Sequence, residues 1–115
     1  PHTADETIKS GKVAVRTLKT KAGNIIRFTD EAGKEKIEII DAKQGTTITL
    51  DGTQKSLTIT CEGDMTLSAE KGNFTVKAKA VKVESTSTLD LKATGPASLE
   101  SSATVKVKGT MVNIN

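Results

Sequence analysis

The 115 residues contain no tryptophan and no tyrosine, and the only aromatic side chains are Phe28 and Phe74. Large rings bury the most apolar area per residue, so a monomer made from this chain has to build its core almost without them. A single cysteine, Cys61, excludes an internal disulfide, and the fold owes nothing to an oxidising compartment. A single histidine, His2, excludes a His-based metal cluster or a Ser-His-Asp arrangement within one chain. No apolar run approaches the roughly 20 residues of a membrane-spanning helix. The opening PHTADETIKS has no apolar stretch that reads as a secretion signal. The net charge of +3, from 17 basic and 14 acidic residues, is mild and the two signs are interspersed. Without stacking aromatics, that charge is a poor basis for holding nucleic acid.

What the chain does have is threonine, 18 copies, and serine, 8 copies, material for strands and turns rather than helices. From Ile48 onward the apolar residues fall into pairs two positions apart: Ile48/Leu50, Leu57/Ile59, Met65/Leu67, Phe74/Val76, Val81/Val83, Leu89/Leu91, Ala97/Leu99, Val105/Val107 and Val112/Ile114. Their first members step by 9, 8, 9, 7, 8, 8, 8 and 7 residues. The residue inside each pair is polar (Thr49, Thr58, Thr66, Thr75, Lys82, Asp90, Ser98, Lys106, Asn113). Period-2 alternation places the pairs on one face of a strand and the polar residues on the other. Short polar corners separate the strands, among them Asp51 to Ser56, Glu62-Gly63-Asp64, Glu70 to Asn73, Glu84 to Thr88, Thr94-Gly95-Pro96 and Lys108-Gly109-Thr110.

Three architectures compete for this octad pattern. A hairpin meander fits poorly, because most corners lack the two-residue Asn-Gly or Asp-Gly loop of a tight hairpin. A single-chain β-helix, at about 24 residues per turn, completes fewer than three turns, a stack only about 14 Å tall with bare edges. Three chains winding together climb about 43 Å with the same strands and converge small apolar pairs on one axis, where rings have no room. The expectation is therefore all-β: an intertwined homotrimeric triple-stranded β-helix, or β-prism. Its core is Ile48, Leu50, Leu57, Ile59, Met65, Leu67, Phe74, Val76, Val81, Val83, Leu89, Leu91, Leu99, Val105 and Val107.

Upstream the spacing widens. Ile26/Phe28 and Ile37/Ile39 stand 11 residues apart and Ile48 follows 11 later, with turn compositions at residues 29–36 and 41–45. Residues 21–47 read as a collar of strands with wider turns, and residues 48–115 as the regular shaft. Residues 1–20, anchored only by Ile8, Val13, Val15 and Leu18, read as a partly disordered lead-in cut from a larger protein.

The stretch from Lys19 to Ile39, with Gly23-Asn-Ile-Ile-Arg-Phe-Thr-Asp30 followed by Gly33-Lys-Glu-Lys-Ile-Glu-Ile39, resembles the entry to the C-terminal β-helix of contractile injection spikes. Gly45-Thr-Thr-Ile-Thr-Leu50 and the octads after it are similar too, so the resemblance covers residues 19–115. That family includes the VgrG proteins of type VI secretion, phage tail-spike hub proteins and the spikes of phage-derived injection particles. The resemblance implies a needle beneath a baseplate, assembled in the bacterial cytoplasm or on a phage tail and then injected. It implies the rest of the spike hub as partner at the N-terminal end, and transient contact with a target membrane. Two departures stand out. The glycines at 45, 52, 63, 72, 95 and 109 are irregular where family shafts often repeat Val-x-Gly, and the ending Met111-Val-Asn-Ile-Asn115 lacks a metal-holding His-x-His apex. A blunt end is similar to the VgrG branch, which implies a PAAR-repeat tip protein docked on Met111, Val112, Asn113, Ile114 and Asn115.

No catalytic constellation and no cofactor site is visible. Cys61 continues the inward alternation Leu57, Ile59, Cys61 and reads as a small buried hydrophobe. Asp30, Glu31 and Glu35 lie in a glycine-containing turn and read as solvated charge rather than a calcium site. The lysines at 77, 79, 82, 92, 106 and 108 mostly alternate outward, where they guard short strands against edge-to-edge association. The expected function is mechanical: a membrane-puncturing shaft carrying a tip protein, not an enzyme. The rival is a trimeric phage fibre or adhesin stalk that binds or cleaves carbohydrate, which requires an aromatic platform or a carboxylate pair in a groove.

Overall fold

In the computed structural model, residues 2–9 and 12–115 are described, with side chains from residue 14 onward. No helix occurs among them. The chain divides into two units, Pro1–Phe74 and Thr75–Asn115.

The first unit contains six strands: β1 (His2–Lys9), β2 (Lys12–Thr20), β3 (Ile25–Thr29), β4 (Lys36–Ile40), β5 (Thr46–Asp51) and β6 (Ser56–Cys61). They form one antiparallel sheet in the order β1-β2-β3-β4-β5-β6, so every strand pairs with its neighbours in sequence. Isoleucine, threonine and Phe28 fill β3 to β5, residue types that suit a pleated surface. The turns supply what the strands cannot. Gly23 takes φ 101° between β2 and β3, and the Thr20 Oγ1 accepts the Asn24 N–H at 3.0 Å. The Asn24 Oδ1 in turn accepts the Ala42 N–H at 2.7 Å, tying this turn to the one between β4 and β5. There, the Asp41 carboxylate accepts the N–H groups of Thr46 at 2.7 Å and Lys43 at 3.2 Å, which holds Gln44 at φ 59°.

Two features go beyond the sequence expectation. Strands β1 and β2 occupy the stretch expected to be a loose lead-in, paired from His2↔Thr20 to Lys9↔Lys12; the side chains of His2, Ile8 and Val13 lie outside the described residues. Antiparallel pairing also runs past Ile48, where the sequence places the start of the regular shaft, and ends at Cys61. The corner at residues 52–55 closes a hairpin without an Asn-Gly loop. Asp51 Oδ1 accepts the N–H groups of Thr53 and Gln54, both at 3.0 Å, the Glu35 carbonyl accepts the Gly52 N–H at 2.9 Å, and Lys55 adopts φ 57°. A side chain at position 52 would press on that carbonyl, its Cβ only 3.3 Å from the Glu35 oxygen, which is why a glycine suits the approach.

After Cys61 the character of the backbone changes. None of residues 62–115 belongs to a strand ladder. The backbone instead runs in straight segments broken by bends at 62–63, 70–72, 79, 86–87, 94–95, 102–103 and 110–111, about eight residues apart. Several bends are shaped by local side-chain bonds. At 86–87, Ser85 Oγ donates to the Thr88 carbonyl at 2.8 Å and accepts the Ser87 N–H at 3.3 Å; at 102–103, Ser101 Oγ accepts the Ala103 N–H at 3.1 Å. Gly109 precedes the last bend, where an added Cβ would lie 3.1 Å from the Met111 carbonyl oxygen.

Candidate functional site

Directly opposed residues in an antiparallel sheet share a face. The register aligns Leu18, Ile26, Ile39, Ile48 and Ile59 in one row, and Arg16, Phe28, Ile37, Leu50 and Leu57 in the next row of the same face. Nine of these ten side chains are apolar, yet the face is uncovered: all but Ile48 among the nine are exposed. Among the described residues the only buried hydrophobic one is Ala14. A shallow apolar hollow on this face is lined by Leu18, Ile26, Ile39 and Ile48, and a second by Phe28, Ile37 and Leu50.

The opposite face is polar and better covered. Thr17, Arg27, Glu38, Thr49 and Thr58 form its central row. Arg27 donates to Thr17 Oγ1 at 3.3 Å and pairs with Glu38 at 3.7 Å, while Lys36 approaches the same Glu38 oxygen at 3.8 Å. Glu38 is consequently only 16% exposed. The apolar face is therefore the more exposed of the two, a contiguous hydrophobic surface of the kind that marks an interaction site.

Of the fifteen residues expected to form a trimer core, the structure brings Ile48, Leu50, Leu57 and Ile59 together on the apolar face. The remaining eleven lie in residues 65–107, outside any ladder and all exposed, Leu91 at 89%. Cys61 stands opposite Thr46, on the same face as Leu57 and Ile59; it is half-buried and its thiol reaches the Gly63 carbonyl at 3.5 Å. The five residues expected to dock a tip protein are all exposed, with Met111 in the last bend and Ile114 at 91%. Asp30, Glu31 and Glu35 gather no metal-binding group, and no cluster of three or more potential metal ligands occurs among the described residues. Leu18 of the lead-in and the collar residues Ile26, Phe28, Ile37 and Ile39 are outside the expected core. The signal for the four collar residues is the 11-residue spacing, which brings successive pairs into cross-strand register.

Compared with protein-family models and with curated proteins, the chain finds no match in either.

Proposed function

We propose that this chain is the shaft of a membrane-puncturing spike from a contractile injection system, of type VI secretion or a phage-tail-like particle. Three copies intertwine into a β-helix, held at the N-terminal end by the rest of the spike hub and carrying a PAAR-repeat tip protein on Met111 to Asn115. The work is mechanical rather than catalytic, performed when the assembled needle is driven from the producing cell or phage tail into a target.

The observation that carries this reading is residues 62–115. Their backbone bends every eight residues, as a three-sided winding requires, but takes part in no ladder. No backbone–backbone hydrogen bond joins any two residues of 73–115. Regular extended segments with no internal ladder hold their backbone donors and acceptors free to pair with strands of other chains, which is the pairing an intertwined assembly supplies. The two rival architectures, a hairpin meander and a single-chain β-helix, both call for pairing within the chain over this stretch. Surface area points the same way. The chain exposes 11033 Å², whereas a compact monomer of 12.1 kDa exposes about 6,000 Å². The difference, about 5,000 Å² per chain, is larger than the roughly 1,000–2,500 Å² per partner of an ordinary obligate interface, and intertwined chains bury more than chains that only touch.

Sedimentation equilibrium tests the assembly, with three times 12.1 kDa expected; a well-folded monomer at micromolar concentration would sink it. Capture of a PAAR-repeat protein by the intact chain, set against a chain lacking residues 111–115, tests the tip. The shortened trimer is expected to assemble and to lose capture. Equal capture by both would remove the docking assignment and leave the shaft.

A further inference from the structure

The octads share a weakness that the sheet does not. Bends recur about every eight residues through 62–115, and each straight segment offers a similar apolar pair. Three chains displaced by one octad would therefore bury nearly the same side chains, so the apolar pattern of the octads does not by itself separate the two registers. The sheet face repeats in its row of Leu18 and four isoleucines but not in the row beside it. One of its rows runs from the charged Arg16 through Phe28 to Ile37, Leu50 and Leu57, and Phe28 is its only ring. A displacement by one strand, about 4.8 Å, would set Arg16 of one copy level with Phe28 of another and oppose strands of reversed direction.

The two regions also differ in when they are able to form. Strands β1 to β6 pair within the chain, each with its neighbour in sequence, so the sheet's ladder closes only short loops and takes no hydrogen bond from a second copy. Residues 62–115 have no such ladder. Intertwining must therefore follow association, and association has one large apolar surface ready for it.

Resting on the trimeric reading above, we propose that the apolar face of the sheet is an alignment surface for the second and third copies of this chain. The three faces dock first, and that docking fixes the register in which the octads then intertwine. The occupant is another copy rather than a foreign protein, because the same alternation continues from Leu57, Ile59 and Cys61 into Met65 and Leu67. The excess of about 5,000 Å² per chain also leaves enough surface for both interfaces.

The test uses the full chain carrying Cys61→Ala and Ser98→Cys, spin-labelled at position 98 and refolded from denaturant. Mass and the label-to-label distance distribution are both recorded. The parent is expected to give trimers with one short distance. Ile39→Asp, at the centre of the face, is expected either to leave monomers that keep their strand signal in circular dichroism or to give trimers with a second, longer distance. Thr58→Asp, on the polar face, is expected to match the parent. Ile39→Ala, which adds no charge, is expected to give trimers with the second distance in part of the population, and decides the matter if Ile39→Asp does not fold. Trimers of Ile39→Ala and Ile39→Asp with the parent's single distance would overturn the alignment role while leaving the trimer standing. The same holds if Thr58→Asp disturbs the register as much as Ile39→Asp. A parent that remains monomeric would overturn the trimer, and this inference with it.

Discussion

At the scale of single residues, Leu89 and Thr75 separate burial by other copies from mere exposure. Both are exposed in the single chain, so within one chain an aspartate at either place meets water. In the proposed trimer, Leu89 and Val105 face the axis, where three like charges would lie together unpartnered at several kcal/mol each. Leu89→Asp or Val105→Asp is expected to abolish assembly in light scattering, and Thr75→Asp to change stability by no more than about 0.5 kcal/mol. Equal effects at the two kinds of position would mean that the faces are assigned the wrong way round. Asp51 makes a different kind of case, because its carboxylate serves two backbone donors in the β5–β6 turn. Asp51→Ala removes the acceptor that both donors share, and a loss of about 1–2 kcal/mol is expected in urea unfolding, with Asp51→Asn recovering part of it. A variant as stable as the parent would show that Gly52 and its bond to Glu35 hold the turn alone.

At the scale of elements, the octad is the unit, and its corners show how far a sequence can be read. The bends at 62–63, 70–72, 94–95 and 110–111 fall at or beside Gly63, Gly72, Gly95 and Gly109, residues that announce a turn by composition. The bends at 79 and 102–103 carry neither glycine nor proline, and only the period marks them. The sheet was harder to read. The alternation in Ile26/Phe28, Ile37/Ile39 and Ile48/Leu50 identifies faces, but β1 has only Ala4 and Ile8 as apolar residues and the consecutive Val13-Ala14-Val15 of β2 breaks the alternation. The hairpin at 52–55 was obscured because its loop is closed by an aspartate side chain and a backbone contact from Glu35, a residue of a different turn. The apolar face emerges only once five strands are in register, since no single strand carries more than two of its large residues. If the octad is the structural unit, its removal should be tolerated where removal of half is not. Deleting residues 81–88 joins the bend at 79 to the one at 94–95 at a spacing that is again about eight. That chain is expected to form trimers with a lowered melting temperature, whereas deleting residues 81–84 is expected to give no discrete trimer by sedimentation velocity. Similar behaviour of the two deletions would show that the period has no structural meaning.

For the whole molecule, the question is what resists force. A needle pushed from its base has to remain folded during a brief load, so the relevant quantity is the rate of unfolding rather than the equilibrium. The sheet by itself is an ordinary meander, able to open strand by strand from β1 or β6, its two edges. Residues 62–115 in an intertwined trimer have no such path, because each segment is laddered to the other chains and leaves only when they separate. Amide exchange distinguishes this arrangement from a free arm. In the trimer, amides in the straight segments from 64 onward are expected to be protected together, exchanging through one slow opening and outlasting those of β6. If the arm is free, the absence of any ladder there leaves its amides to exchange at the rate of an unfolded chain while the central strands β3 and β4 stay protected. Rapid exchange throughout 64–115 in material of trimeric mass would show that the sheets alone hold the chains together, and that the octads bear no load.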